Sequence, residues 1–150
     1  MSKQKTITIC SSVSFYKDIP EIEKQLIQMG FKVLIPMTAR KMQKKEDFSS
    51  NKTWLKDKST YHQKTKLIVG HFKKVMQGDA ILVVNHDKDG MEGYIGGNVL
   101  MEMTIAFHYK KPIFVLNKID EKLLLKEEVY GLQSIFLNGS LKKIKSLLRV

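Results

Sequence analysis

Apolar and polar positions change period several times along the chain, and each change marks an element. Thr6-Ile7-Thr8-Ile9-Cys10 alternates and is β-branched, which predicts a strand. A Ser-rich turn follows. Pro20 to Met29 carries apolar residues at helical spacing, with Pro20 at the start and Gly30 as the stop. Phe31 to Ile35 is a second strand closed by Pro36, so the first third reads as a right-handed βαβ unit. Tyr61 to Gln77 gathers Leu67, Ile68, Phe72, Val75 and Met76 on one helical face and ends at Gly78. The unbroken apolar run Ala80 to Val84 has the character of a central parallel strand, buried on both faces. After a loop from Asn85 to Ile95, Gly96-Gly97 opens a helix through Leu100, Met101, Ile105, Ala106 and Tyr109. Pro112 to Leu116 and Ser134 to Leu137 predict the fourth and fifth strands, and Leu141 to Leu148 a closing amphipathic helix.

From Met37 to about Ser59 no period holds, and Trp54 stands without apolar partners at either spacing. The reading there is an insertion at about 37–60, either a lid or binding loop or a solvated loop. The remaining alternation predicts an α/β domain: a doubly wound, flavodoxin- or Rossmann-like five-stranded parallel sheet with helices on both faces. Such sheets bind ligands at the carboxyl ends of their strands, here the segments after Cys10, Pro36, Val84 and Leu116.

Composition narrows this further. At 150 residues and 43% hydrophobic content the chain supports one core, hence a single domain over 1–150. No apolar run approaches the ~20 residues of a membrane-spanning helix, and the basic start Met1-Ser2-Lys3-Gln4-Lys5 leads into a strand rather than a signal-peptide core. A cytoplasmic protein is expected. The lone Cys10 excludes an intrachain disulfide and reads as a buried structural thiol. His62, His71, His86 and His108 fall at no metal-ligand spacing, and neither a Walker nor a G-x-G-x-x-G pattern occurs, so neither a metal nor a cofactor is expected. The formal charge is +11; between Met37 and Lys66 nine basic residues face three acidic ones, nine minus three giving +6 in that segment. A basic RNA-binding surface, with Trp54 and Tyr61 as stacking residues, is therefore one alternative function.

Two strand ends hold candidate chemistry. Ser11, Ser12 and Ser14 offer hydroxyls and amides near a helix start, suited to a phosphate, although one serine capping the turn explains them equally well. After the third strand, Asp87, Asp89 and Glu92 crowd the loop leading to Gly96, Gly97 and Asn98. Paired glycines allow close approach of backbone to ligand, Asn98 can cap the helix, and Glu102 follows it by one turn on the same face. Glu102 reads either as a catalytic carboxylate or as one paired with a lysine.

Ile9-Cys10-Ser11-Ser12-Val13-Ser14, Gly78 to Val84, and Gly96-Gly97-Asn98-Val99-Leu100-Met101-Glu102-Met103 followed by Ala106 and Lys111-Pro112-Ile113 resemble the nucleoside 2-deoxyribosyltransferase-like superfamily, which includes nucleoside 5′-monophosphate N-glycosidases. The resemblance covers the chain apart from the basic insertion. It implies cleavage or transfer of the N-glycosidic bond of a (deoxy)nucleoside or its 5′-monophosphate, with Glu102 as nucleophile. It further implies Asp79 as an acid acting on the base, Ser12 and Ser14 as phosphate contacts, and a homo-oligomer. Many relatives carry an acid or Ser where this chain has Gly96, which makes Asp87, Asp89 and Glu92 the accessory candidates, together with Asn117 after the fourth strand. The longer Pro-Gly-Gly-x-Gly-Thr-x-x-Glu pattern of phosphoribohydrolases is not met, Val99 and Leu100 replacing its Gly and Thr. A nucleotide-binding module without turnover is the first alternative, ahead of the RNA-binding surface.

Overall fold

The computed structural model describes residues 3–148. Five parallel strands, β1 (Thr6–Ser11), β2 (Lys32–Leu34), β3 (Ala80–Val84), β4 (Ile113–Val115) and β5 (Ile135–Phe136), lie in the order β2-β1-β3-β4-β5. The chain moves outward from β1 to β2, then crosses back to β3 and proceeds the other way, so the order reverses between β1 and β3. That reversal opens the crevice in which doubly wound sheets take their ligands. Register is continuous there, from Ile7 opposite Ala80 to Ser11 opposite Val84.

Alternate residues of each strand serve opposite layers. Ile7, Ile9, Ala80, Leu82, Val84 and Phe114 pack with Ile19, Ile22 and Leu26 of α1 (Ile19–Gln28), Ala39 of α2 (Met37–Lys45) and Ile144 of α7 (Lys142–Leu148). Cys10, Ile81, Val83, Ile113 and Val115 face the other way, against Val75 of α4 (Tyr61–Gln77), Val99, Met103 and Ala106 of α5 (Gly97–His108) and Val129 of α6 (Lys126–Gly131). The helices therefore cover both faces, as the strand pattern predicts. Cys10, by parity, points into the α4/α5 layer.

The basic insertion departs from its sequence reading. Met37–Lys45 is a helix rather than loop, because Ala39 and Met42, one turn apart, supply a narrow buried stripe that its lysines obscure. Arg40 fixes it to α1 through a two-pronged pair with buried Glu23, Nη1 lying 3.0 Å from Oε1 and Nη2 against Oε2. Beyond Glu46, in the left-handed region at φ 54°, the chain runs to α3 (Thr53–Lys56) and a 3₁₀ turn over Lys58–Thr60. Thr53 Oγ1 joins these to α4, 3.2 Å from Thr60 Oγ1 and donating to Gln63 Oε1 at 2.7 Å. Among the described residues no helix is long and apolar enough to cross a membrane.

Candidate functional site

Three side chains from three elements meet in the α4/α5 layer beside the carboxyl end of β1. Cys10 reaches it by strand parity. His71 shares the sheet-facing side of α4 with Val75, one turn on. Glu102 lies among Val99, Met103 and Ala106, the stripe by which α5 packs on the sheet, so its burial follows from helical spacing. Cys10 Sγ is 3.6 Å from His71 Nε2, which is 3.9 Å from Glu102 Oε2. Asn98 Nδ2 donates to Glu102 Oε1 at 3.2 Å, the one-turn pairing the sequence indicates, whereas Oε2 has no hydrogen-bond partner.

Burial governs the electrostatics of this trio. It pushes the Glu102 carboxyl up to about 8, partly offset by the Cys10 thiol and the Lys64 ammonium. Burial likewise carries His71 down to about 4, with Lys74 adding to the shift. The Cys10 thiol is pushed well up by burial and by Glu102, and Tyr16 is raised by the same causes. Near pH 7 all three groups are therefore neutral, and the short approach of His71 to Glu102 is not an ion pair. Lys64, whose pKa is lowered by its own burial and by Lys52, stacks over Trp54 at 5.7 Å.

The other sequence candidates fall in several places. Ser11 Oγ donates to the Val84 carbonyl at 3.2 Å and to the Ser12 carbonyl at 3.0 Å, tying β1 to β3. Ser12 accepts from the Ser14 amide at 3.4 Å as the cap of a 3₁₀ turn over Val13–Asp18, and Ser14 is exposed. Gly96, not Asn98, is the N-cap of α5, because its extended backbone starts the helix two positions earlier than a cap at Asn98 would. A methyl on Gly96 would meet the Tyr94 hydroxyl at 3.0 Å, while one on Gly97 would stand in open space.

Asp79 does not join this site. It precedes β3 at the amino edge of the sheet, where its carboxylate accepts from the Thr6 amide at 2.7 Å. Cys10 is level with Val83, four residues further along β3, which at about 3.3 Å per residue is ~13 Å away. The acid expected to serve the base is a strand-end clamp.

The accessory candidates cluster apart from Glu102. Asp87, Glu92 and Asn117 line a cleft of about 590 Å³ together with His86, Lys118 and Asn138, at the carboxyl ends of β3, β4 and β5. Asp87 accepts from the Gly93 amide at 3.0 Å and Glu92 pairs with Lys118 at 3.5 Å, whereas exposed Asp89 occupies a turn at φ 52°. A second cleft lies between α1 and α2, and neither cleft includes Glu102. Beneath the first, fully buried Asn85 donates to the carbonyls of Gly93 and Asn117 at 3.2 and 2.8 Å and accepts from the Asn117 amide at 2.9 Å; Asn117 Nδ2 returns a bond to the Asn85 carbonyl at 3.1 Å. Asn85→Ala is expected to destabilise the protein by about 2–3 kcal/mol, since it strands several buried polar groups at once. Equilibrium urea unfolding checks this, and a loss under 0.5 kcal/mol would contradict it.

Sequence reasoning missed Asn85, His71 and the position of Cys10. For Asn85 a signal exists, an amide ending an apolar strand. For the trio none does, since partners 61 positions apart leave no mark on linear spacing. No family model and no curated protein matches the chain.

Proposed function

We propose that this protein cleaves or transfers the N-glycosidic bond of a nucleoside, deoxynucleoside or nucleoside 5′-monophosphate, with Glu102 as the nucleophile. The observation that carries the reading is a buried carboxylate beside the β1/β3 reversal, with one oxygen held by Asn98 and the other unpartnered. Ionised Glu102 attacks the anomeric carbon, and the glycosidic bond breaks with its electron pair leaving on the base, which takes up a proton from solvent water. Water or a second base then opens the glycosyl ester and frees the carboxylate. Asp79, at the opposite edge, has no part in the proposal. Gly97, with open space above it, and the exposed Ser14 remain as substrate contacts.

A nucleophile must be ionised, and burial keeps Glu102 largely protonated at pH 7. The rate should therefore rise with pH, about tenfold per unit below a pKa near 8 and flattening above it. Measuring kcat/KM for base release from a panel of nucleosides and monophosphates between pH 5.5 and 9 tests this directly. Base release that is independent of pH over that range would remove Glu102 from the nucleophile's role. Saturable nucleotide binding without base release at any pH would instead favour the non-catalytic module.

A further inference from the structure

We propose that Cys10, His71 and Glu102 form a binding site for a divalent transition-metal ion, best suited to zinc. Metal binding at these residues can be read without turnover.

Geometry comes first. One ligand atom from each residue lies within 4.8 Å of the other two, and all three residues are buried. Zinc–sulfur and zinc–nitrogen distances of about 2.3 and 2.0–2.1 Å give a tetrahedral S···N edge of about 3.5 Å; the observed separation is 3.6 Å. The N···O edge of about 3.4 Å expected on the same basis compares with 3.9 Å. Glu102 Oε2, the oxygen facing the imidazole, is the one left without a hydrogen-bond partner, although its side chain is only 5% exposed. A buried acceptor of that kind calls for a partner.

Charge selects the valence. In the buried layer a thiolate from Cys10 and a carboxylate from Glu102 supply two negative charges, which a divalent ion balances. The ligand set of sulfur, nitrogen and oxygen favours zinc or cobalt(II) over magnesium or calcium, which prefer oxygen alone. Three protein ligands leave a fourth position for water or a small ligand. Metal bound here would engage Glu102 and so compete with its use as a nucleophile.

Cobalt(II) is the probe, because its visible spectrum reports both tetrahedral geometry and thiolate ligation. Titration of the full chain at pH 7.5 should give one equivalent bound, with a sulfur-to-cobalt charge-transfer band that zinc abolishes on displacement. Cys10→Ala should lose that band, and His71→Gln should weaken binding by about 100-fold, both variants being checked for native circular dichroism. Because thiol and carboxyl ligands bind as their anions, the association constant should rise with pH. A parent protein that binds no cobalt at millimolar concentration, or binds it without the charge-transfer band or without pH dependence, overturns the proposal whether or not the variants fold.

Discussion

Glu102→Gln is expected to lower base release by at least about 10³-fold, the scale on which loss of a covalent nucleophile is felt. The substitution keeps the side chain's shape and copies the neutral form that burial favours, but an amide cannot form the glycosyl ester. The variant should stay folded with an unchanged circular dichroism spectrum, so that lost activity reports chemistry rather than collapse. Substrate affinity, measured by calorimetry, should change by less than about tenfold if the side chain's role is in the transition state. Release within tenfold of the parent would show that another group attacks the sugar, and the cleft holding Asp87 and Glu92 would then be the place to look.

The second large effect is on stability against pH. Glu102 has a folded pKa near 8 against 4.5 for the free group, so its contribution is complete below pH 4.5 and is lost as pH rises through 8. Each pH unit in that window is worth about 1.4 kcal/mol. His71 behaves oppositely: its folded pKa near 4 against 6.5 gives a contribution complete above pH 6.5 and lost as pH falls through 4. The two slopes cancel between about pH 4.5 and 6.5. Above 6.5 only the Glu102 slope remains, and the parent should lose about 2 kcal/mol by pH 8. Glu102→Gln should be level over pH 6.5–8 and gain stability from pH 4 to 6.5, while His71→Gln should lose stability steadily from 4.5 to 8. Urea melts at half-unit intervals would decide it; a parent curve that stays flat from 6.5 to 8 would mean that Glu102 is ionised in the folded state.

Elements whose apolar residues outnumber their charges were legible in the sequence. The run Ala80 to Val84 and the helix Tyr61–Gln77 coincide with their sequence limits, and α5 lies within a residue of its limits, although within Tyr61–Gln77 only His71 and Val75 are buried and Met76 of the expected apolar face is exposed. Helix α2 was hidden because two small contacts, Ala39 and Met42, suffice once the Arg40–Glu23 pair supplies the remaining attachment. Ion pairs between distant helices have no period. Of the candidate site, Glu102 and its Asn98 partner were readable because they are one helical turn apart. Asp79 lies apart from Glu102 for the converse reason: it precedes β3, at the other end of the sheet from Cys10. Cys10 and His71 were read singly, as a packed thiol and an isolated histidine, since their meeting is a property of the sheet and its covering layer together.

That meeting has a bearing on which changes in length the chain can absorb. Between Glu46 and Lys52, on the exposed rim, residues can be added or removed with only the connection altered. A single deletion within β1 would reverse the facing of the residues on one side of it and, where that side includes Cys10, would send the thiol toward α1 and present a neighbour to His71 and Glu102. Homologues that keep this cluster should accordingly vary freely along the rim while preserving an odd-and-even count from Thr6 to Cys10.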